Sequence, residues 1–302
     1  MTSCLAARHC YNPTYRFSVQ NGSNVQLGLM TKHLHRDSVE EVAAAVAGFG
    51  LTAVQLDLTS AGLSEQPGEV DQALAARIRA AFAGHGIRIA AVSGTFNMID
   101  PDAARLQANI ASYPNLLAWC RALGCDVVTA CTGTRHRGSM WRAHPDNARP
   151  EAWADLRRTL AQVLPEAEAR GVTIPFEPEV VNVIDTAAKA QRLIEEVQSP
   201  RLRLVMDPAN YFHPDMLERM DAVLDDVFRR VGGYIAFAHA KDVRPPEPGG
   251  DECVRPAAGT GVLDYPRYLR LLRQSGYDGA LVMHSLEESE VPASAAYVRR
   301  FL

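Results

Sequence analysis

Short apolar runs alternate with longer segments of helical periodicity along most of this chain. The runs are continuous rather than alternately apolar and polar, and glycine or proline lies near many of their ends. This pattern is typical of parallel strands that are covered on both faces. It predicts eight strands, at Val25–Met30, Ala53–Leu58, Ile87–Val92, Val127–Cys131, Thr173–Glu177, Leu202–Asp207, Ile235–Lys241 and Ala280–His284.

Helical segments follow these strands one by one. Apolar spacing predicts helices over Val39–Phe49, Asp71–Gly84, Asp102–Leu123, Glu151–Arg170, Thr186–Val197, Pro214–Val231 and Asp264–Gln274, and a short helix closes the chain. Strict strand–helix alternation predicts an α/β fold, a single (β/α)8 TIM barrel. A doubly wound sheet would more often place a glycine-rich fingerprint after its first strand, and Thr31–His35 has none. We therefore expect a short N-terminal extension, residues 1–24, and one barrel domain, residues 25–302.

Composition excludes several classes of protein. The 302 residues are 47% hydrophobic and 22% charged, as in globular proteins with an ample core. A net charge of −4 argues against a partner such as nucleic acid. No apolar stretch is long enough to cross a membrane, and residues 1–24 lack the apolar centre of a signal peptide. Six cysteines without CxxC spacing indicate reduced thiols, so the expected location is cytoplasmic.

Four of the predicted strands end in a side chain that can bind a metal. These are Glu177, Asp207, His239 and His284. Because the carboxyl ends of parallel strands converge on one face, the four groups would face one cavity. Alone, each has a simpler interpretation: a helix cap for Glu177, a turn former for Asp207, and a satisfied core residue for either histidine. Together, two carboxylates and two imidazoles indicate a mixed oxygen and nitrogen site for a divalent metal.

Six motifs, taken in order, resemble those of a known family. They are GLTAVQL (50–56), SGTFN (93–97), FEPE (176–179), DPAN (207–210), HAKD (239–242) and GYDG (276–279). From about Val25 to the C terminus, the chain resembles the xylose isomerase-like barrels, in the sugar phosphate isomerase/epimerase group that includes tagatose epimerases and inosose dehydratases. The resemblance implies one divalent metal ion, first of all Mn, with Co, Mg, Fe or Zn as alternatives. It also implies ligands on strands five to eight, namely Glu, Asp, His and Glu.

The fourth ligand departs from that pattern. Glu177, Asp207 and His239 match the family, whereas His284 stands where the family usually has Glu. In the epimerases of the family, the two glutamates also form the acid/base pair across the substrate carbon. With one glutamate missing, we expect Glu177 to act as the base that removes a proton next to a carbonyl. A Lewis acid would stabilise the resulting enediolate.

The enediolate leads to two kinds of product. Reprotonation gives an isomer or epimer, so the first hypothesis is a metal-dependent isomerase or epimerase of a sugar or keto-sugar. Loss of a β-leaving group gives elimination, so the alternative is a lyase that dehydrates a keto-polyol or removes the aglycone of a 3-oxo-glycoside. A DNA-repair barrel fits less well, because such enzymes have a basic face. A silent subunit that has lost a catalytic glutamate is a fourth hypothesis.

The loop after the fourth strand, residues 132–150, offers further site residues. His144 is a second acid/base candidate, and Trp141 and Arg142 suit a sugar or polyol substrate through ring stacking and a charged fork. The simpler interpretation is that Trp141 plugs the barrel mouth and His144 leads into a helix. Arg135, His136 and Arg137 have a simple interpretation as solvated surface, but if they point inward, an anionic or phosphorylated substrate is favoured.

The remaining predictions concern other strand ends and the assembly. The other substrate-binding candidates are Asn210, Lys241 and Glu179, and the pocket candidates on the same face include His33 and Asp242. The expected partner is a small-molecule sugar or polyol. Because relatives are commonly oligomers, we expect a homo-oligomer, with a hetero-oligomer as the alternative.

Overall fold

The computed structural model describes residues 25–302, and these residues form a closed parallel barrel. Its strands are β1 (Gln26–Met30), β2 (Ala53–Leu56), β3 (Arg88–Ser93), β4 (Val128–Cys131), β5 (Ile174–Glu177), β6 (Leu202–Met206), β7 (Ile235–Ala240) and β8 (Ala280–Met283). Each strand pairs in parallel with the next, and β8 pairs with β1, which closes the sheet. The prediction of a single (β/α)8 barrel is confirmed. The predicted extension, residues 1–24, lies outside the described residues.

Helices connect the strands around the outside of the barrel. They are α1 (Val39–Gly48), α2 (Gln72–Ala83), α3 (Ala103–Ala122), α4 (Pro150–Arg170), α5 (Ala187–Val197), α6 (Met220–Val231), α7 (Tyr265–Gln274) and α8 (Val291–Arg299). Polar caps explain several starts: the side chains of Asp71, Asp102 and Thr186 accept hydrogen bonds from the first backbone N–H groups of their helices. Within residues 25–302, no helix combines the length and apolar character needed to span a membrane.

The helix predicted over 214–231 begins later than its apolar spacing indicates. Pro214–Arg219 forms a 3-10 segment, and the α-helix starts only at Met220. Pro214 lies at the first position of that segment, where the missing N–H costs nothing. The other helix bounds differ from the predictions by only a residue or so at each end.

Two apolar layers pack against the strands, one outside the barrel and one inside it. The larger layer packs the outward faces of the strands against the helices, with residues such as Val54 and Leu56 of β2. The smaller layer fills the inside of the barrel, and its buried members are Met30, Ala53, Ala90, Ala91, Val205, Phe237, Ala280 and Val282. Several of these are alanines. Their small size leaves room for long polar side chains above them at the carboxyl ends of the strands.

The pairing of β2 with β3 contains a register shift beside the inner layer. Val54 pairs with Ile89, but Gln55 pairs with Ala91, so one residue of β3 is extra at this point. Consistent with that bulge, both Ala90 and Ala91 contact the inner cluster. Bulges of this kind redirect side chains near functional sites. Here the shift lies at Gln55, whose side chain extends into the barrel.

Candidate metal centre

The ends of β5 to β8 bring the four predicted ligands together. One ligand atom each from Glu177, Asp207, His239 and His284 lies within 4.8 Å of all the others. Nδ1 of His239 is 3.3 Å from Oε1 of Glu177 and 3.8 Å from Oδ2 of Asp207. Nε2 of His284 is 2.9 Å from the same Asp207 oxygen. The cluster is buried, with Asp207 fully so and Glu177 the most accessible member.

Asp207 is the electrostatic centre of this cluster. Its Oδ1 accepts a hydrogen bond from the backbone N–H of Ala209, and its Oδ2 is 2.9 Å from the ammonium of Lys241. Burial disfavours its charge, but the Lys241 ammonium and the hydrogen bond with His284 together hold the pKa of Asp207 well below its usual range. Burial also lowers the pKa of His284, and His239 and Lys241 lower it further. Asp207 is therefore ionised and His284 is neutral at physiological pH.

These residues fit a divalent ion. A carboxylate ligand must be ionised and an imidazole ligand must be neutral, which are the states that the surroundings favour for Asp207 and His284. Nε2 of His284 donates to Asp207 at 2.9 Å and would release its proton on binding an ion. Two carboxylates balance a double positive charge, and two neutral imidazoles add donors without adding charge. The ligand atoms of the four side chains all lie within 4.8 Å of one another, close enough for one ion to be held by all four.

A cavity of about 510 Å³ opens above the cluster. Glu177, Glu179, Lys241 and His284 line it from the cluster side. Its other lining residues are partly apolar and aromatic, and they include Leu58, Phe96, Tyr113, Leu116, Met140 and Trp141. Cavities of about 300–1,000 Å³ are typical of sites for small organic ligands. Glu177 and His284 thus lie where a bound small molecule would contact them.

Two further predicted residues act at the cluster itself. Nδ2 of the fully buried Asn210 donates to Oε1 of Glu177 at 2.7 Å, so Asn210 holds a ligand instead of lining the cavity. Glu179 is 8% exposed and lines the cavity. Burial raises the pKa of Glu179 to about 8, against the lowering effect of Lys241, and the charges of Glu177 and Asp207 raise it as well.

The predicted residues of loop 132–150 are less closely associated with the cluster. Trp141 lines the cavity mouth with 52% of its surface exposed, as a stacking platform requires. Arg142 is exposed, and its backbone carbonyl accepts a hydrogen bond from Thr134. The ring of His144 accepts a hydrogen bond from the backbone N–H of Asp146 and is not among the residues that line the cavity. Arg135 pairs with Asp155 of α4, so its guanidinium contacts the scaffold.

The polar groups that hold the histidines were not predicted from the sequence. Oε1 of Gln55 is 2.8 Å from Nε2 of His239, on the side of the ring away from Glu177. Oγ of Ser285 is 3.2 Å from Nδ1 of His284. Ser285 has a φ of 57°, which is uncommon for a residue with a side chain and is a sign of a constrained site. No sequence pattern indicates the contact of Gln55 with His239, because only the closed barrel brings these two residues together.

Comparison with known proteins places this architecture in a family. The family model described as the xylose isomerase-like TIM barrel matches residues 43–301. The chain belongs to this family. That match covers most of the chain and includes all four clustered side chains. Among curated proteins, none matches this xylose isomerase-like chain.

Solved structures share the fold of this xylose isomerase-like barrel. A D-psicose 3-epimerase from Clostridium cellulolyticum H10, solved with D-tagatose, has a TM-score of 0.69 at 17% identity, covering 92% of this chain and 99% of its own. A 3-keto-D-glucoside 4-epimerase from E. coli has a TM-score of 0.68 at 16% identity, with 91% and 99% covered. An L-ribulose 3-epimerase has a TM-score of 0.67 at 21% identity, with 92% and 93% covered. At these identities the likeness establishes the fold.

Proposed function

We propose that this chain is a divalent-metal-dependent enzyme that isomerises or epimerises a sugar or keto-sugar. The observation that supports this best is the cluster of Glu177, Asp207, His239 and His284 beside a cavity of about 510 Å³. Three solved structures of the same fold are those of sugar epimerases, which adds support. A divalent ion bound here, Mn first of all, would polarise the substrate carbonyl and stabilise the negative charge that develops on its oxygen.

Glu177 is the group that removes the proton in this proposal. It lines the cavity and is the most accessible of the four clustered side chains. Asn210 and His239 lie against its Oε1, so we expect Oε2 to take the proton from the substrate carbon. Lys241 and Glu179 line the same cavity and would bind substrate hydroxyl or carbonyl oxygens. Trp141 would stack on the sugar ring at the mouth.

The lyase alternative rests on a specific feature of β8. His284, which follows that strand, is buried with its Nε2 at 2.9 Å from Asp207, so this position supplies no second carboxylate for reprotonation. β-Elimination from a keto-polyol or a 3-oxo-glycoside can use one base, because the carboxyl group that has taken the proton can return it to the departing oxygen. A second acid/base from His144, and substrate contact by Arg142, would require loop 132–150 to turn these side chains into the cavity.

Substitution of Glu177 by Gln tests the role of the base. We expect Glu177→Gln to lower turnover of keto-sugars by about 10²–10⁴-fold, the usual contribution of a positioned general base. Glu195→Gln, on the exposed surface of α5, is the matched control and should keep full activity. Turnover in deuterated water, followed by NMR and mass spectrometry, separates the two reactions.

Each outcome of that experiment decides one question. Deuterium at the carbon next to the carbonyl with an otherwise unchanged molecular formula supports the isomerase or epimerase. Loss of water or of an aglycone supports the lyase. Equal turnover by wild type and Glu177→Gln contradicts the assigned base, and no turnover of any keto-sugar by a metal-loaded wild type favours the silent subunit.

A further inference from the structure

A buried hydrogen bond crosses the inside of the barrel between β2 and β7. Oε1 of Gln55 lies 2.8 Å from Nε2 of His239, although the two residues are 184 positions apart in the chain. Gln55 is 2% exposed and His239 is 1% exposed. Because water does not reach a pair buried in this way, each polar atom needs its protein partner to complete its hydrogen bonding. The contact therefore constrains the His239 ring directly.

The Gln55 amide also contacts two hydroxyl groups on the neighbouring strands. Its Nε2 donates to Oγ of Ser93 at 3.1 Å and to Oγ1 of Thr129 at 3.0 Å, on β3 and β4. Both amide hydrogens are thus used, and the carbonyl oxygen faces His239. In this arrangement the carbonyl accepts, so Nε2 of His239 carries a proton. When that is the ring's single proton, the lone pair of Nδ1 faces Oε1 of Glu177 at 3.3 Å, and a cation between the two acceptors would satisfy both.

We propose that Gln55 is a positioning residue that fixes His239 in the tautomer whose Nδ1 is free to bind the metal ion. The metal ion in this inference comes from the proposed function, whereas the tautomer of His239 does not depend on it. Gln55 achieves this without adding a charge to a site that already contains Glu177 and Asp207. Partners of this type, hydrogen-bonded to the far nitrogen of a ligating histidine, set ring orientation in metal sites.

A different arrangement of the same side chains would give the opposite result. If the amide were rotated, the Ser93 and Thr129 hydroxyls would donate to Oε1, and the Gln55 amide would donate to Nε2 of His239. The proton would then lie on Nδ1 and point toward Glu177, which removes one ligand from the cluster. The two arrangements differ in a directly measurable property, the tautomer of one imidazole ring.

Imidazole nitrogen chemical shifts measure that tautomer in metal-free protein. We expect ¹⁵N NMR of wild type to show the Nε2–H form for His239, with its signals assigned from their loss in His239→Asn. Gln55→Met, which removes both the acceptor and the donors, should shift these signals toward a mixture of tautomers. Gln162→Met, on the exposed surface of α4, is the control and should leave them unchanged.

Binding of Mn²⁺ alone gives a second readout that does not depend on activity. Competition with a chelating dye should show an affinity about 10–100-fold lower in Gln55→Met than in wild type, the usual effect of losing such a partner. Gln55→Glu keeps an oxygen acceptor for Nε2–H and should recover part of that loss. Thermal unfolding of each variant without metal shows whether the fold itself has changed.

The results separate the two proposals. An Nδ1–H tautomer in wild type, or Mn²⁺ affinity in folded Gln55→Met equal to that of wild type, overturns the role of Gln55. Failure of wild type to bind Mn²⁺ overturns the proposed function instead. In that case the tautomer of His239 in wild type and in Gln55→Met still decides whether Gln55 fixes the ring.

Discussion

The two halves of the barrel mouth differ in the chemistry of their polar residues. The ends of β5 to β8 supply two carboxylates and two imidazoles that gather within 4.8 Å of one another. Strands β2 to β4 supply uncharged groups: Gln55 bonds to Ser93, to Thr129 and to His239. Under our proposals, one half therefore offers the ligands, and the other half holds one of them in place. Charged side chains are needed only where the ion would bind, whereas an uncharged amide is sufficient to orient the His239 ring.

The largest expected effect separates ligands from residues that merely lie beside them. Asp207 and Asp242 are both buried acids at the ends of neighbouring strands. Oδ2 of Asp207 faces the cluster, whereas the carboxylate of Asp242 accepts hydrogen bonds from the backbone N–H groups of Val243, Gly259 and Leu263. We expect Asp207→Asn to lower Mn²⁺ affinity by more than about 100-fold, beyond the range for groups that only orient ligands.

Asp242→Asn is the matched variant for that experiment. Its amide would place a donor against a backbone N–H, so the free energy of unfolding should fall by about 1–3 kcal/mol while Mn²⁺ affinity stays unchanged. Chelator competition and urea unfolding, applied to both variants, give the two quantities. Equal loss of Mn²⁺ affinity in both variants would mean that Asp207 acts through folding rather than as a ligand.

The sequence predicted the charged half of the mouth better than the neutral half. Glu177, Asp207, His239 and His284 each lie at the end of a recognisable apolar run. Because parallel strands converge at that end, the pattern alone predicted that these side chains lie close together. The contact of Gln55 with His239 crosses the barrel and lies beside a register shift between β2 and β3. That shift leaves no mark in hydrophobic periodicity, and Gln55 simply appeared as a polar residue within a strand motif.

Loops limited the prediction in a different way. Arg135 and His144 were candidates because a long loop follows β4 at the catalytic face, but side-chain direction in a loop depends on local turns. Arg135 pairs with Asp155, and the ring of His144 accepts from the backbone of Asp146. Asp242 illustrates the same limit within the HAKD motif, since its neighbour Lys241 faces the cavity while Asp242 fastens the following loop.

A smaller effect is expected at His33, which follows β1 and contacts the residue after His284 at the end of β8. Its Nε2 accepts a hydrogen bond from the backbone N–H of Ser285, beside His284. Burial, followed by Lys32 and His35, lowers the pKa of His33 from 6.5 to about 4. The unfolded chain therefore takes up the proton first, and the stability that the neutral ring supplies above pH 6.5 is lost as the pH falls toward 4.

Comparison with His33→Gln, which does not titrate, isolates this contribution. Because the ring is partly exposed and solvent screens it, we expect wild type to lose about 1 kcal/mol more than the variant over that pH interval. Urea unfolding at a series of pH values measures the difference. Parallel stability curves for the two proteins would show that the contact with Ser285 does not depend on the protonation of His33.

We propose that the four strand ends bind one divalent ion, with His284 as the fourth ligand. Elemental analysis of protein purified without added metal tests it most directly, in wild type, in His284→Ala and in His85→Ala, an exposed histidine before β3. We predict an equimolar amount of metal in wild type and in His85→Ala, and its loss in His284→Ala. Metal retained by His284→Ala would remove His284 from the ligand set. A wild type that binds no metal, even after reconstitution with Mn²⁺, would contradict the claim.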